Sequence, residues 1–217
     1  MRLSKKEDAI VLKKEVKAIL FDMDGVLTDS YHAWSCIIND ALKSIGRNAL
    51  SKKTLRKQFG APVERDQKTH FKGYSVEQIR KLYLDHYHKH KNKIVLFPHT
   101  RKILQEIKDK NIKIGLISNS TKDIIHPVLK RFGIDCYFDV VMSMDDVTYR
   151  KPHPEMVLRA CKILGVKPQE TVVVGDTQND MIAGKKAGCT TVGIKTKGDC
   201  TVHRLTAIRR FLKLPSR

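Results

Sequence analysis

Val16-Lys17-Ala18-Ile19-Leu20-Phe21-Asp22-Met23-Asp24-Gly25 decides how this chain is read. Residues 16–21 form a short apolar run broken only by Lys17, which reads as a buried strand; Asp22, Asp24 and Gly25 then end it in a loop. Two carboxylates two positions apart at the end of a buried strand repel each other and lose hydration. That arrangement is costly unless a cation joins them. A hard ion such as Mg²⁺, which takes oxygen ligands, fits the need. Taken alone, the tetrapeptide also reads as an ordinary turn rich in Asp and Gly.

The same shape recurs outward from this stretch. Residues 112–117 run into Ser118-Asn119-Ser120, residues 137–142 into Ser143, and residues 171–174 into Gly175-Asp176. A last run, 190–194, follows Gly188. Helical stretches lie between them at 99–109, 122–132, 154–164 and 179–187. Strand and helix alternating in this way imply an α/β protein with a Rossmann-like parallel sheet core. In such sheets the functional loops sit at the carboxyl ends of the strands, where every polar cluster just named falls. One stretch breaks the alternation. From about Tyr31 to Phe97 no strand is expected, only helices at 31–45, 52–59 and 76–90. A crossover needs one helix, so this insert reads as a helical cap domain, 31–97, carried by a core of 1–30 and 98–217. Gly60-Ala61-Pro62 marks a loop inside it and Phe97-Pro98 the return to the core. The plainer alternative is that these helices cover one sheet face.

With 217 residues, 41% of them apolar, the chain can bury a sizeable core. It has no apolar run of the roughly 20 residues that span a bilayer, and charged residues 1–14 do not read as a secretory signal, so no membrane partner is expected. The five cysteines are odd in number and contain no C-x-x-C pair, which reads as reduced thiols in a cytoplasmic protein. The formal charge of +19 suits anionic substrates. Because the lysines are interleaved with acids along every segment, the charge points away from nucleic-acid binding and toward a small phosphorylated metabolite as partner.

The remaining chemistry lies downstream. Asp176 and Asp180 stand four positions apart where a helix starts, a place that tolerates negative charge. Asp180 alone reads equally as a helix cap. Lys151, in Arg150-Lys151-Pro152-His153-Pro154, is the cation expected to balance a phosphate, and Pro152 keeps it out of helical geometry. Ser118 and Asn119 offer a hydroxyl and N–H groups at a strand end, a phosphate cradle or merely a turn with an N-cap. In the insert, Arg65 and Lys68 near Gly60 are candidates for reading a second anionic group, against the alternative of ordinary surface charge. His86, His88 and His90 read as a solvated helix face rather than a metal site, and Trp34 as a packing residue. The basic, apolar tail from His203 reads as a terminal helix on the core.

In combination these features resemble the haloacid dehalogenase superfamily in its phosphatase branch. The resemblance rests on F-D-M-D-G-V-L-T-D-S from Phe21, R-K-P-H-P-E from Arg150 and V-V-G-D-T-Q-N-D-M-I-A-G-K-K-A-G from Val173. It implies Asp22 as nucleophile and Asp24 as general acid, then base. It also implies Mg²⁺ held by Asp22, the Asp24 carbonyl and Asp176 with Asp180 nearby, and phosphoryl oxygens held by Ser118, the Asn119 amide and Lys151. Dehalogenases of the superfamily lack the second aspartate, so Asp24 argues for phosphate chemistry. Gly175-Asp176-Thr177 and the loop Phe59-Gly60-Ala61-Pro62 look more like phosphoglycolate phosphatases and their relatives than like the sugar phosphomutases, and the cap sequence names no substrate. A sugar phosphomutase and a non-catalytic, nucleic-acid-binding scaffold are the competing readings.

Overall fold

A computed structural model describes residues 15–210, so the reading of residues 1–14 lies outside it. The chain divides into two compact units, Met1–Leu27 with Phe97–Arg217, and Thr28–Leu96. In chain order the elements are β1 (Ala18–Phe21), β2 (Thr28–Asp29), α1 (Tyr31–Ser44), α2 (Lys52–Gln58), α3 (Val63–Thr69), α4 (Val76–His90) and β3 (Val95–Leu96). There follow α5 (Thr100–Lys108), β4 (Lys113–Ile117), α6 (Lys122–Arg131), β5 (Val140–Met142), α7 (Glu155–Leu164), β6 (Thr171–Gly175), α8 (Gln178–Ala187), β7 (Thr190–Ile194) and β8 (Cys200–Val202).

The larger unit is built on a six-stranded sheet ordered β5-β4-β1-β6-β7-β8, with each neighbouring pair parallel. Ala-Ile-Leu-Phe of β1 is buried at every position, as a central strand covered on both faces requires. From β1 the chain builds outward through β4 and β5, then returns to lay β6 on the other side of β1. That reversal makes the β1/β6 border the switch point where open α/β sheets bind ligands. Phe21 is in register with both Leu116 and Val174, so the three strands end level. Residues just past those ends therefore share one edge. Helices cover the faces through apolar stripes; α7 buries Met156, Val157, Ala160, Cys161 and Leu164, the spacing of one helix face. Gly165 stops that helix in the left-handed conformation, at φ 64.

The smaller unit is the helical cap. Its α1 and α4 pack Ala33, Ile37 and Ala41 with Ile79, Tyr83 and Tyr87 in one buried layer. Trp34 meets Tyr83 edge-to-face at 6.1 Å, a packing role as expected. Ser75 and Gln78 start α4 with a reciprocal capping box.

The structure corrects several expectations. The insert is not free of strands: β3 pairs antiparallel with β2, and two residues are too short to show a period. Helix α3 was not foreseen because Val-Glu-Arg-Asp-Gln-Lys-Thr buries only Asp66, leaving no apolar stripe to read. The strand expected at 137–142 begins only at Val140, since Asp135–Tyr137 is a 3-10 turn. Strand β8 was missed; Asp199 clamps it by accepting from the Thr191 N–H at 2.9 Å and its hydroxyl at 2.7 Å. His90 is not on a solvated face. It is buried, with Nε2 2.8 Å from Asp40 Oδ2, an acid 50 residues away in sequence. In the tail, the helix expected on the core is a short 3-10 helix, Leu205–Arg210, with Leu205 and Ile208 buried and Arg209 gripping Glu106 of α5 at 2.7 and 2.8 Å. Residues 211–217 lie outside the described part. No described helix is long and apolar enough to cross a membrane.

Candidate active site

Asp22 is the first residue past β1 and remains in the sheet, donating its N–H to the Val174 carbonyl at 2.9 Å. This bond ties the end of β1 to β6, the strand that carries Asp176. Lys151 reaches the same place from the loop before α7. A lysine ammonium has three donors, and all three are used: to Asp22 Oδ1 at 2.8 Å, Asp180 Oδ1 at 2.6 Å and the Ile117 carbonyl at 2.8 Å. With 2% exposure, Lys151 is a fixed charge and not a mobile surface lysine. Its backbone is held too. Asn119 accepts the Lys151 N–H at 3.1 Å and donates through Nδ2 to its carbonyl at 3.0 Å. The Lys151–Pro152 bond is cis.

Asp180 serves two purposes at once. Its Oδ2 accepts the Thr177 N–H at 3.1 Å and hydroxyl at 2.5 Å, closing a capping box at the start of α8, while Oδ1 takes Lys151. Cap and site were alternatives in the sequence; here they are one side chain. Asp176 lies against the β1 loop. A Cβ on Gly25, whose φ is +81, would stand 2.0 Å from Asp176 Oδ2, so only glycine lets the acid approach. Gly175 is constrained in the same way, since a Cβ there would meet Asp180 Cβ at 2.2 Å.

Oxygen atoms of Asp22, Asp176 and Asp180 all lie within 4.8 Å of one another. Asp24 is half-buried nearby and accepts from the Ser120 hydroxyl at 3.4 Å. One ammonium cannot balance so many carboxylates. Burial pushes the Asp22 carboxyl well above its ordinary value; Lys151 opposes the shift, and Asp180, Asp176 and Asp24 add to it. Asp176 rises from 3.8 to about 7, through burial and then through Asp180 and Asp24. Burial also works against the charge on Lys151, but Asp180 and Asp22 outweigh it, and its value is raised. An extra cation would relieve this cluster. The donors present fit Mg²⁺: they are all oxygen, and Asp176 Oδ1 is buried with no hydrogen-bond partner.

The structure thus brings together Asp22, Asp24, Ser118, Asn119, Lys151, Asp176 and Asp180 within the larger unit. Ser118 is buried and its Oγ accepts the Ser120 N–H at 3.2 Å. Ser120 and Thr177 were not singled out from the sequence, although T-x-x-D before a helix is a legible cap signal. Arg65 and Lys68 belong to the cap unit, both exposed on α3.

Comparison with known proteins accords with this geometry. Residues 19–194 match the family described as haloacid dehalogenase-like hydrolase. The chain belongs to that family. This haloacid dehalogenase-like hydrolase is 30% identical over 208 residues to a phosphoglycolate phosphatase of Escherichia coli O157:H7, covering 83% of this chain and 82% of that one. It is 29% identical over 180 residues to the pyrophosphatase PpaX of Oceanobacillus iheyensis, covering 82% and 83%. A crystal structure of beta-phosphoglucomutase from Clostridium difficile shares its fold, with a TM-score of 0.78 at 24% identity over 91% of this chain and 96% of that one. As a member of this family with phosphatase relatives, the protein is a hydrolase, and phosphatase activity is its class of reaction.

Proposed function

We propose that this haloacid dehalogenase-like hydrolase is a magnesium-dependent phosphatase that cleaves a small phosphomonoester through an aspartyl-phosphate on Asp22. The observation that carries the reading is the meeting of Asp22, Asp176 and Asp180 with one immobile ammonium at the β1/β6 switch point. Asp22, Asp176 and the Asp24 carbonyl would hold Mg²⁺, with Asp180 in support. When bound, the ion would neutralise phosphoryl charge and orient the phosphate for in-line displacement.

The chain's own residues do the rest. Lys151, with the Ser118 hydroxyl and the Asn119 amide, would hold phosphoryl oxygens; since all three Lys151 donors are engaged, one must pass from a protein acceptor to phosphate. A carboxylate oxygen of Asp22 attacks phosphorus as the bond to the leaving alkoxide breaks, and Asp24 gives that alkoxide its proton. Water then attacks phosphorus of the aspartyl-phosphate while Asp24 takes the proton, releasing phosphate and the Asp22 carboxylate. Arg65 and Lys68 of the cap are the candidates for recognising a second anionic group on the substrate.

The test is phosphate release from p-nitrophenyl phosphate and from a panel of phosphorylated metabolites. EDTA abolishes release, Mg²⁺ restores it, and Ca²⁺ does not, because calcium takes more ligands at longer distances. Full activity in a rigorously metal-free preparation overturns the reading. The same ion has a signature in stability. With Asp176 raised from 3.8 to about 7, the metal-free folded state holds a proton that the unfolded chain has lost. Its stability therefore falls as pH rises across that window. Mg²⁺ must displace that proton, so its gain in Tm is larger at about pH 8 than at about pH 5. An equal gain at both would separate Asp176 from the metal.

Asp24→Asn discriminates the acid role. It costs much less with p-nitrophenyl phosphate than with alkyl phosphates, whose poor leaving groups need the proton. Equal losses on both would remove Asp24 from that role. Free phosphate appearing in equal amount with the alcohol marks hydrolysis; transfer to a second hydroxyl would mark a mutase.

A further inference from the structure

We infer that the cap unit holds a binding site of its own for a small anion bearing two or more phosphate groups, in the cavity bounded by α1, the start of α2 and the end of α4. The cavity, ≈ 580 Å³, lies within the range of small-molecule sites and is lined only by residues of Thr28–Leu96. Its lining carries Lys43 from α1, Lys52 and Arg56 from α2, Lys89 from α4 and Lys93 from the turn after α4. The only acid among the lining residues is Asp40.

That acid is already engaged. Asp40 Oδ2 takes His90 Nε2 at 2.8 Å and Lys89 Nζ at 3.0 Å, and these contacts hold its carboxyl down at about 2. Lys43, Lys52, Arg56 and Lys93 have no carboxylate partner among the described residues; Lys93 instead lies 3.1 Å from Cys36 Sγ, and Arg56 lies over the Tyr31 ring at 5.5 Å. Four such cations around one cavity repel each other until an anion enters, and they concentrate anions there.

The walls are also built in advance. Asn39 pins the α1–α2 loop by accepting the Leu50 N–H at 2.8 Å and donating to its carbonyl at 3.3 Å. The Tyr31 hydroxyl donates to the Lys52 carbonyl at 3.1 Å, fixing the start of α2 against α1. This framework fixes the backbone at the start of α2, so the ligand has only the cationic side chains left to order. Several lysines and one arginine suit phosphate oxygens, and their spread over the cavity suits more than one phosphate. A cavity of this size suits a small molecule.

The experiment titrates inorganic tripolyphosphate and, separately, inorganic phosphate into the metal-free Asp22→Asn protein by calorimetry, at about 0.15 M salt. Tripolyphosphate binds saturably and at least about tenfold more tightly than phosphate. In that background Lys43→Gln with Lys52→Gln, and independently Arg56→Gln with Lys93→Gln, each weaken it by about tenfold or more. These side chains are exposed, so the variants are expected to fold, which melting curves check before titration. Absence of saturable binding, equal affinity for the two anions, or unchanged tripolyphosphate affinity in both cap variants overturns the inference. The last outcome would place the anion outside this cavity.

Discussion

Asp22→Asn abolishes turnover, by on the order of 10⁴-fold or more in kcat, while the protein stays folded. An amide has no anionic oxygen to attack phosphorus, and nothing near Asp22 replaces it: Asp180 is spent on Thr177 and Lys151, and Asp24 meets Ser120. The structural half of the expectation separates this variant from a merely damaged one. Asp22 is a buried carboxyl pushed upward by burial and by Asp180, Asp176 and Asp24, so its charge is a burden on the metal-free fold. Neutralising it removes that burden, and Lys151 keeps Asp180 and the Ile117 carbonyl. The metal-free Tm is therefore unchanged or higher, while the Tm gain from Mg²⁺ shrinks because a ligand is lost. Substantial magnesium-dependent activity in purified Asp22→Asn would remove the nucleophile from this residue. A fall of many degrees in the metal-free Tm would contradict the electrostatic account.

Lys151→Met strikes stability and activity together. Methionine fills a similar volume but leaves Asp22 Oδ1, Asp180 Oδ1 and the Ile117 carbonyl without the donor they share. Removing one partner of a buried ion pair costs about 3 kcal/mol or more. For a chain of this size that lowers the Tm by roughly 6 °C or more. The loss is smaller at acidic pH, where the stranded carboxyls take up protons. Turnover falls by on the order of 10³-fold, as when a fixed donor to a developing phosphoryl charge is removed. The assay is run well below the variant's melting point, so that folded enzyme is compared with folded enzyme. A variant that melts like the parent at neutral pH would show that Lys151 does not balance the acid cluster.

What was legible in the sequence was whatever is local. The strand leading to Asp22, the strand leading to Asp176 and the helices α4 and α7 announce themselves, because a buried strand or an amphipathic helix must carry its apolar residues at fixed spacing. Costly residues in unusual places were equally visible: paired carboxylates after an apolar run, and a lysine held before proline. These sufficed to read an α/β core, a helical insert and the acids of the site. Helix α3 and strands β3 and β8 were invisible because partners elsewhere in the chain hold them, not any period of their own. Asp66 of α3 takes the Tyr83 hydroxyl at 2.7 Å, and β8 depends on Asp199 reaching Thr191.

The sequence by itself determined which groups carry the chemistry, since charge, nucleophilicity and ligand type belong to the residue. Only the tertiary structure decided how those groups are used. Register brings Phe21 level with Leu116 and Val174, and so sets Asp22, Ser118 and Asp176 along one edge. Lys151, 129 positions after Asp22, spends every donor there, and Asn119 turns out to hold the Lys151 backbone. His90 finds Asp40 across the cap, beside four cations that have no carboxylate partner among the described residues. Distances and burial between residues far apart in the chain set these energies, and no local pattern of residues encodes them.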